Sequence, residues 1–335
     1  CKGMYGLPQA GILANQCLVK HLLAHGFTLT AHTPSLYMHS SCLLIFSLVV
    51  DDFSVQYVGH DNAEFLLTIL RQQYTVTHDW SGSQYCGLTL NWDYKLHHVD
   101  ISMPRYIEKA LQCFHPVLSK CKQDAPHAWT PPSYNQPVQY TAPLDDSAPL
   151  SSSGITHLQE IIGVLLYYAR AVDSTMLIAL STLASAQSQG TESTTQAATQ
   201  LLNYCMTHPD AITCFQASDM ILHVHSDASY LSETKAHSCT GSYFYLSMAL
   251  VDPTIAPTAA TPLPSHNGPI LVHSSIMPTV LSSATEAETG ALFYNAKEAT
   301  ILRTTLLELG YPQPPTPIQT DNLCTIGIIN DTVHQ

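Results

Sequence analysis

The chain has 335 residues, 45% of them apolar, enough for two or three domains that each bury a core. Only 11% are charged, and 12 Lys and Arg face 25 Asp and Glu, a net charge of −13. That balance counts against strong autonomous nucleic-acid binding, because Lys and Arg contacts to phosphates supply most non-specific affinity. The longest apolar stretch, around Leu43 to Val50, is too short to span a bilayer and suits a buried strand. Ten cysteines at scattered spacings, without a Cys-x-x-Cys pair, predict reduced, buried thiols in an intracellular protein rather than zinc knuckles.

In chain order, Pro8 opens a helix carrying Ala10, Ala14, Leu18 and Leu22, and Gly26 stops it. The strand Leu43 to Val50 leads into a second one in which Phe53, Val55 and Tyr57 alternate with Ser54 and Gln56. Asp51 and Asp52 therefore fall at a hairpin tip. Asp61 and Glu64 predict a capping box ahead of Leu66, Leu67 and Leu70. A further strand pair is expected over Tyr85 to Trp92 and Leu96 to Met103, completing an α+β pattern. From Lys122 to Gly154, Pro126, Pro131, Pro132, Pro137, Pro143 and Pro149 exclude long helices and predict a linker. Helical spacing returns in Leu158, Ile161, Ile162, Leu165, Leu166 and Ala169, then near Ser174 to Gln187 and Thr194 to Thr207. The last part predicts strands at Ile221 to His225, Gly241 to Leu250 and Ile270 to His273, with a Pro-rich insertion over Asp252 to Gly268. A helix follows from Ser283 to Gly310 with Ala299, Leu302, Leu306 and Leu309 on one face, then strand Ile318 to Thr320 and a helix from Asp321.

Four of these element edges carry acids: Asp51-Asp52, Asp227, Glu286 and Asp321. Each has an ordinary local explanation, as a polar turn or as a helix cap. Together they suggest more. In-line displacement at phosphorus develops charge on entering and leaving oxygens, and two divalent metals about 3.5–4 Å apart stabilise both. Mg²⁺ favours carboxylate and water oxygens, and gathered carboxylates stay ionised together only when cations compensate.

The strings around these acids carry a resemblance. Lys2-Gly3-Met4-Tyr5-Gly6-Leu7-Pro8-Gln9-Ala10 resembles the helix-entry motif of copia-type retrotransposon polymerases. Leu48-Val49-Val50-Asp51-Asp52-Phe53 resembles their catalytic hairpin, with Val49 where the family usually has Tyr, and Pro8 replaces a frequent Lys. Ile161-Ile162-Gly163-Val164-Leu165-Leu166-Tyr167-Tyr168, followed by Arg170-Ala171-Val172-Asp173, is similar to the thumb-helix motif. Ser226-Asp227-Ala228-Ser229-Tyr230, Ser282 to Glu288, and Asp321-Asn322 with Ile326-Gly327-Ile328-Ile329 resemble the ribonuclease H strings of the same polyprotein, in the same order.

The resemblance implies a partial polymerase palm over residues 1–120, a Pro-rich linker over 121–153, a helical thumb-like region over 154–212 and a ribonuclease H-like mixed sheet with packed helices over 213–335. It implies RNA-directed DNA synthesis and hydrolysis of the RNA strand in RNA–DNA hybrid, with Mg²⁺ or Mn²⁺ as cofactor. The partners it implies are an RNA template, a DNA primer, RNA–DNA hybrid and, in the intact parent, dNTP, with no membrane and an intracellular location in cytoplasmic particles or the nucleus. Carried over, Asp51 and Asp52 are polymerase metal ligands, Gln9 lies near the nucleotide and Gly87 belongs to the strand that grips the primer. Asp227, Glu286 and Asp321 are the ribonuclease H ligands, and Glu288, two residues along the helix from Glu286, is expected to point elsewhere. Asp331 is a weak positional substitute for the family's fourth acid. The chain opens on Cys1, after the place of the family's first polymerase aspartate, so the expectation is a fragment without polymerase activity and with weak ribonuclease H activity. The alternative is a non-catalytic remnant or a co-opted nucleic-acid-binding protein.

Overall fold

A computed structural model describes residues 8–114, 122–128, 145–233, 236–249 and 265–330. Lys2 to Leu7, most of the expected linker, most of the Pro-rich insertion and Asp331 lie outside the described residues. The fold mixes α and β structure and divides into two compact units, Cys1–Gly87 with Thr304–Pro312, and Leu88–Arg303 with Gln313–Gln335. No helix among the described residues is long and apolar enough to cross a membrane.

The first unit holds α1 (Pro8–Ala24), β1 (Phe27–Leu29), β2 (Leu36–His39), β3 (Leu44–Val49), β4 (Asp52–Tyr57), α2 (His60–Arg71) and β5 (Gln84–Tyr85). Strands β1 to β4 form an antiparallel sheet in sequence order. Alternation along β3 sends Leu44, Phe46 and Leu48 into one core with Leu22 of α1 and Leu66, Ile69 and Leu70 of α2. The buried His21 ring bonds the Ile69 carbonyl at 2.8 Å and so ties α1 to α2. Gly26 ends α1 as expected: its φ is +88°, and a Cβ there would lie 2.8 Å from His39 Nε2. The expected Asp61–Glu64 capping box is absent. Helix α2 starts earlier, behind Gly59 at φ +84°, which leaves Asp61 already inside the first turn and unable to cap.

In the second unit β6 (Leu88–Asp93), β7 (His98–Ser102) and β8 (Ile212–Gln216) run antiparallel. Helices α3 (Tyr106–Phe114), α4 (Ser152–Ala171), α5 (Leu177–Ala186) and α6 (Glu192–Thr207) share one apolar core, in which Met103 and Ile107 pack with Leu165, Leu180 and Leu201. Through this shared core β6, β7 and α3 side with the helical region, and the division between the compact units falls after Gly87.

The second sheet of this unit has the order β11-β10-β9-β12, with β9 (Ile221–Ser229), β10 (Cys239–Ser247), β11 (Pro269–Ile276) and β12 (Ile318–Gln319). Its first three strands form an antiparallel meander, and β12 pairs parallel to β9. The parallel pair needs a crossover, which α7 (Ala284–Glu308) supplies, and α8 (Leu323–Ile329) follows β12. Ala287 and Ala291, both fully buried, bring α7 close to the sheet. Fully buried Asn295 then donates to Ser226 Oγ at 2.8 Å and to the Gly241 carbonyl at 3.2 Å, locking the helix against β9 and β10. The return to β12 is held by Arg303, whose guanidinium donates to the Pro314 and Gln313 carbonyls and to Thr316.

A candidate carboxylate metal centre

Strand β9 ends in polar residues, and Asp227 sits two residues before its end, opposite Gly241 of β10. Its exposed carboxylate accepts from the Ala228 N–H at 2.8 Å, which fixes one oxygen. On the parallel neighbour, β12 delivers Asp321 just beyond its last residue, also exposed. Helix α8 does not use Asp321 as its cap: Asn322 accepts from the Thr325 N–H at 2.9 Å and takes that role. Asp321 is thereby free for another function.

The third member is Glu288. It is 7% exposed, and one carboxylate oxygen each of Asp227, Glu288 and Asp321 lie within 4.8 Å of one another. Burial raises the Glu288 carboxyl above the usual carboxylate range, and the negative charges of Asp227 and Asp321 raise it further. A backbone bond from Ala228 and the Thr320 hydroxyl, 3.5 Å from Glu288 Oε2, oppose that rise. No Lys or Arg among the described residues forms an ion pair with any of the three. The cluster therefore carries an uncompensated like-charge cost, and its all-oxygen donor set suits a hard divalent cation such as Mg²⁺.

Glu286, the glutamate that the sequence strings single out, lies outside this cluster. Its N–H donates to Ser283 Oγ at 3.1 Å, and its carboxylate accepts from the Ser282 N–H at 2.7 Å and hydroxyl at 2.6 Å. Those bonds hold its carboxyl below the ordinary range. The Thr-Glu match at the helix start thus picks out a capping residue. Helical geometry held the correct signal: Ala299, on the expected apolar face, is about three full turns from Glu288, so Glu288 shares the buried face and Glu286 does not. Asn295, two turns from Glu288 on that face, was also missed.

In the first unit Asp51 and Asp52 are exposed at the tip of the β3–β4 hairpin, where Val49 pairs with Asp52 and Val50 has φ +57°. The Cys86 thiol lies beside Asp52; burial raises its pKa, and the Asp52 and Asp51 charges add to the rise. Gly87 follows at φ +76° with open space where a Cβ would stand. Gln9 is exposed on α1 and makes no hydrogen bond to the hairpin among the described residues. No third ligand joins Asp51 and Asp52 in a metal-holding group among the described residues.

No protein-family model matches the chain, and no curated protein matches its sequence.

Proposed function

We propose that the Asp227–Glu288–Asp321 cluster is a metal-dependent phosphodiester hydrolase centre of the ribonuclease H type, acting on the RNA strand of an RNA–DNA hybrid. The supporting observation is the convergence of three acids from β9, α7 and β12 on one point without a cationic partner. In this reading the three carboxylates hold Mg²⁺ or Mn²⁺, which when bound supplies Lewis-acid stabilisation of the entering and leaving oxygens. Asp227 and Asp321, both exposed, form the face open to solvent and substrate. Glu288 closes the back of the site, oriented by Thr320 and Ala228. Asn295, bonded to Ser226, holds α7 at the height that puts Glu288 beside Asp227, as a positioning residue.

The larger assignment follows the sequence strings. The chain is a stretch of a copia-type element polyprotein, with Asp51 and Asp52 as two of the polymerase ligands and RNA template, DNA primer and dNTP as partners of the parent. The experiment is cleavage of an RNA–DNA hybrid by purified protein with Mg²⁺ or Mn²⁺. Asp227→Asn is expected to lower the rate by about 10²-fold or more, the scale of losing one transition-state stabiliser. Cutting that is unchanged by the substitution would remove Asp227 from the site. The net charge of −13 favours a second reading, a remnant without catalysis. Salt-sensitive hybrid binding without any cutting would select a binding role instead.

A further inference from the structure

A second group of ligand-type side chains lies in the other sheet of the second unit. Register pairs Asp100 of β7 directly with Cys214 of β8, and His98 is two residues from Asp100 on the same face. His98 Nε2 is 3.9 Å from Asp100 Oδ2, and one donor atom of each of the three residues lies within 4.8 Å of the others. The opposite face of β8 packs inward, with Thr213 Oγ1 donating to the Val172 carbonyl at 2.7 Å. The group therefore sits on the outer face of two paired strands, and Cys214 is exposed to solvent.

We propose that His98, Asp100 and Cys214 form a binding site for a thiophilic divalent transition-metal ion of the zinc class, with a fourth position open to solvent. One imidazole, one carboxylate and one thiolate match the donors such ions take, and a neutral histidine with two anionic ligands balances a dication. Tetrahedral coordination at bond lengths of about 2.0–2.3 Å puts donors about 3.3–3.8 Å apart, so small side-chain adjustments close the site. Without an ion the arrangement is unfavourable for the thiolate, because the Asp100 carboxylate paired across the strands is a like charge. A dication reverses that preference. The thiolate also separates this site from the acid cluster, because soft sulfur is a poor ligand for Mg²⁺. Bound metal would clip β7 to β8, two segments far apart in sequence, and so stabilise the unit by mass action.

The test is titration of the full chain, freed of metal, with Co²⁺ as a spectroscopic probe. The expected result is one equivalent giving a near-ultraviolet thiolate-to-cobalt charge-transfer band with tetrahedral visible bands, displaced by Zn²⁺ and untouched by Mg²⁺. Cys214→Ser should abolish the band with circular dichroism unchanged, since an exposed strand position tolerates serine. His98→Ala and Asp100→Asn should each weaken Co²⁺ binding by at least about tenfold, while Asp227→Asn leaves the band intact. A band that survives Cys214→Ser, or disappears in Asp227→Asn, would overturn the proposal. Absence of metal uptake by the unsubstituted chain would overturn it too, leaving an ordinary cross-strand contact.

Discussion

Asp51 and Asp52 are neighbours in sequence and need only a two-residue turn to lie side by side, whereas Asp227, Glu288 and Asp321 come from a strand, a helix and a strand-to-helix junction. The hairpin pair is exposed, so its mutual repulsion is weakened by water and salt and asks little of the fold. The cluster in the second unit puts a buried glutamate against two further acids, and its raised Glu288 carboxyl records the cost. A polar turn explains the first arrangement without any chemistry. Nothing local explains the second. Acids held together at a cost point to a cation, and that difference makes the ribonuclease H-type centre the better supported of the two proposed activities.

The sharpest way to break this contrast is to separate Glu288 from Glu286. Glu288→Gln should lower metal-dependent hybrid cutting by about 10²-fold or more, as expected for a group that stabilises the reacting charge. Glu286→Gln should leave the rate near that of the unsubstituted chain, because its carboxylate is engaged with Ser282 at the helix start. Equal losses in both variants would show that the helix start, rather than the buried carboxylate, limits the reaction.

How far the sequence reaches is clear from the same helix. The strand–acid–helix strings singled out Asp227 and Asp321, two of the three acids that the fold brings together, because a carboxylate at a strand end is placed by local chain geometry. The choice of Glu286 over Glu288 rested on a string match, while membership of the cluster is decided by which face the helix buries. The cysteines failed for a related reason. Scattered spacing without a Cys-x-x-Cys pair suggested buried thiols, yet among the described residues only Cys205 is buried, and Cys17, Cys113, Cys214 and Cys324 are exposed. Strand register, invisible in spacing, is what brings Cys214 to Asp100. Strands β1, β2 and β8 and helix α3 also escaped the periodicity because they are short, and β8 in addition pairs with a partner, β7, remote in sequence.

A smaller effect follows from the like-charge cost itself. The folded state raises the Glu288 carboxyl, so it holds that proton more tightly than the unfolded chain does. The resulting penalty is absent below the unfolded carboxyl value of about 4.3 and in full force once pH exceeds the raised folded value. Glu288→Gln should therefore raise the melting temperature by a few degrees at neutral pH without metal. The gain should shrink as pH falls toward about 4.3, and millimolar Mg²⁺ should narrow it by stabilising the unsubstituted chain. Thermal melts across pH check both signs; a Glu288→Gln variant no more stable than its parent at neutral pH would mean that the cluster carries no repulsion.

The smallest expected effect tests the other side of the comparison. Val50, 92% exposed and β-branched, holds φ +57° at the hairpin tip, a region that costs an L-residue roughly 1–2 kcal/mol. Glycine is favoured at the first central position of a two-residue hairpin turn with positive φ there. Glycine also loses more backbone freedom on folding, which offsets part of the relief. Val50→Gly should thus stabilise the first unit by about 1 kcal/mol or somewhat less, read from urea unfolding. If the hairpin is only a turn, removing the valine costs the protein nothing. A variant that is more stable and yet loses template-dependent primer extension, in a polyprotein that has it, would instead assign the strained backbone to placing Asp51 and Asp52.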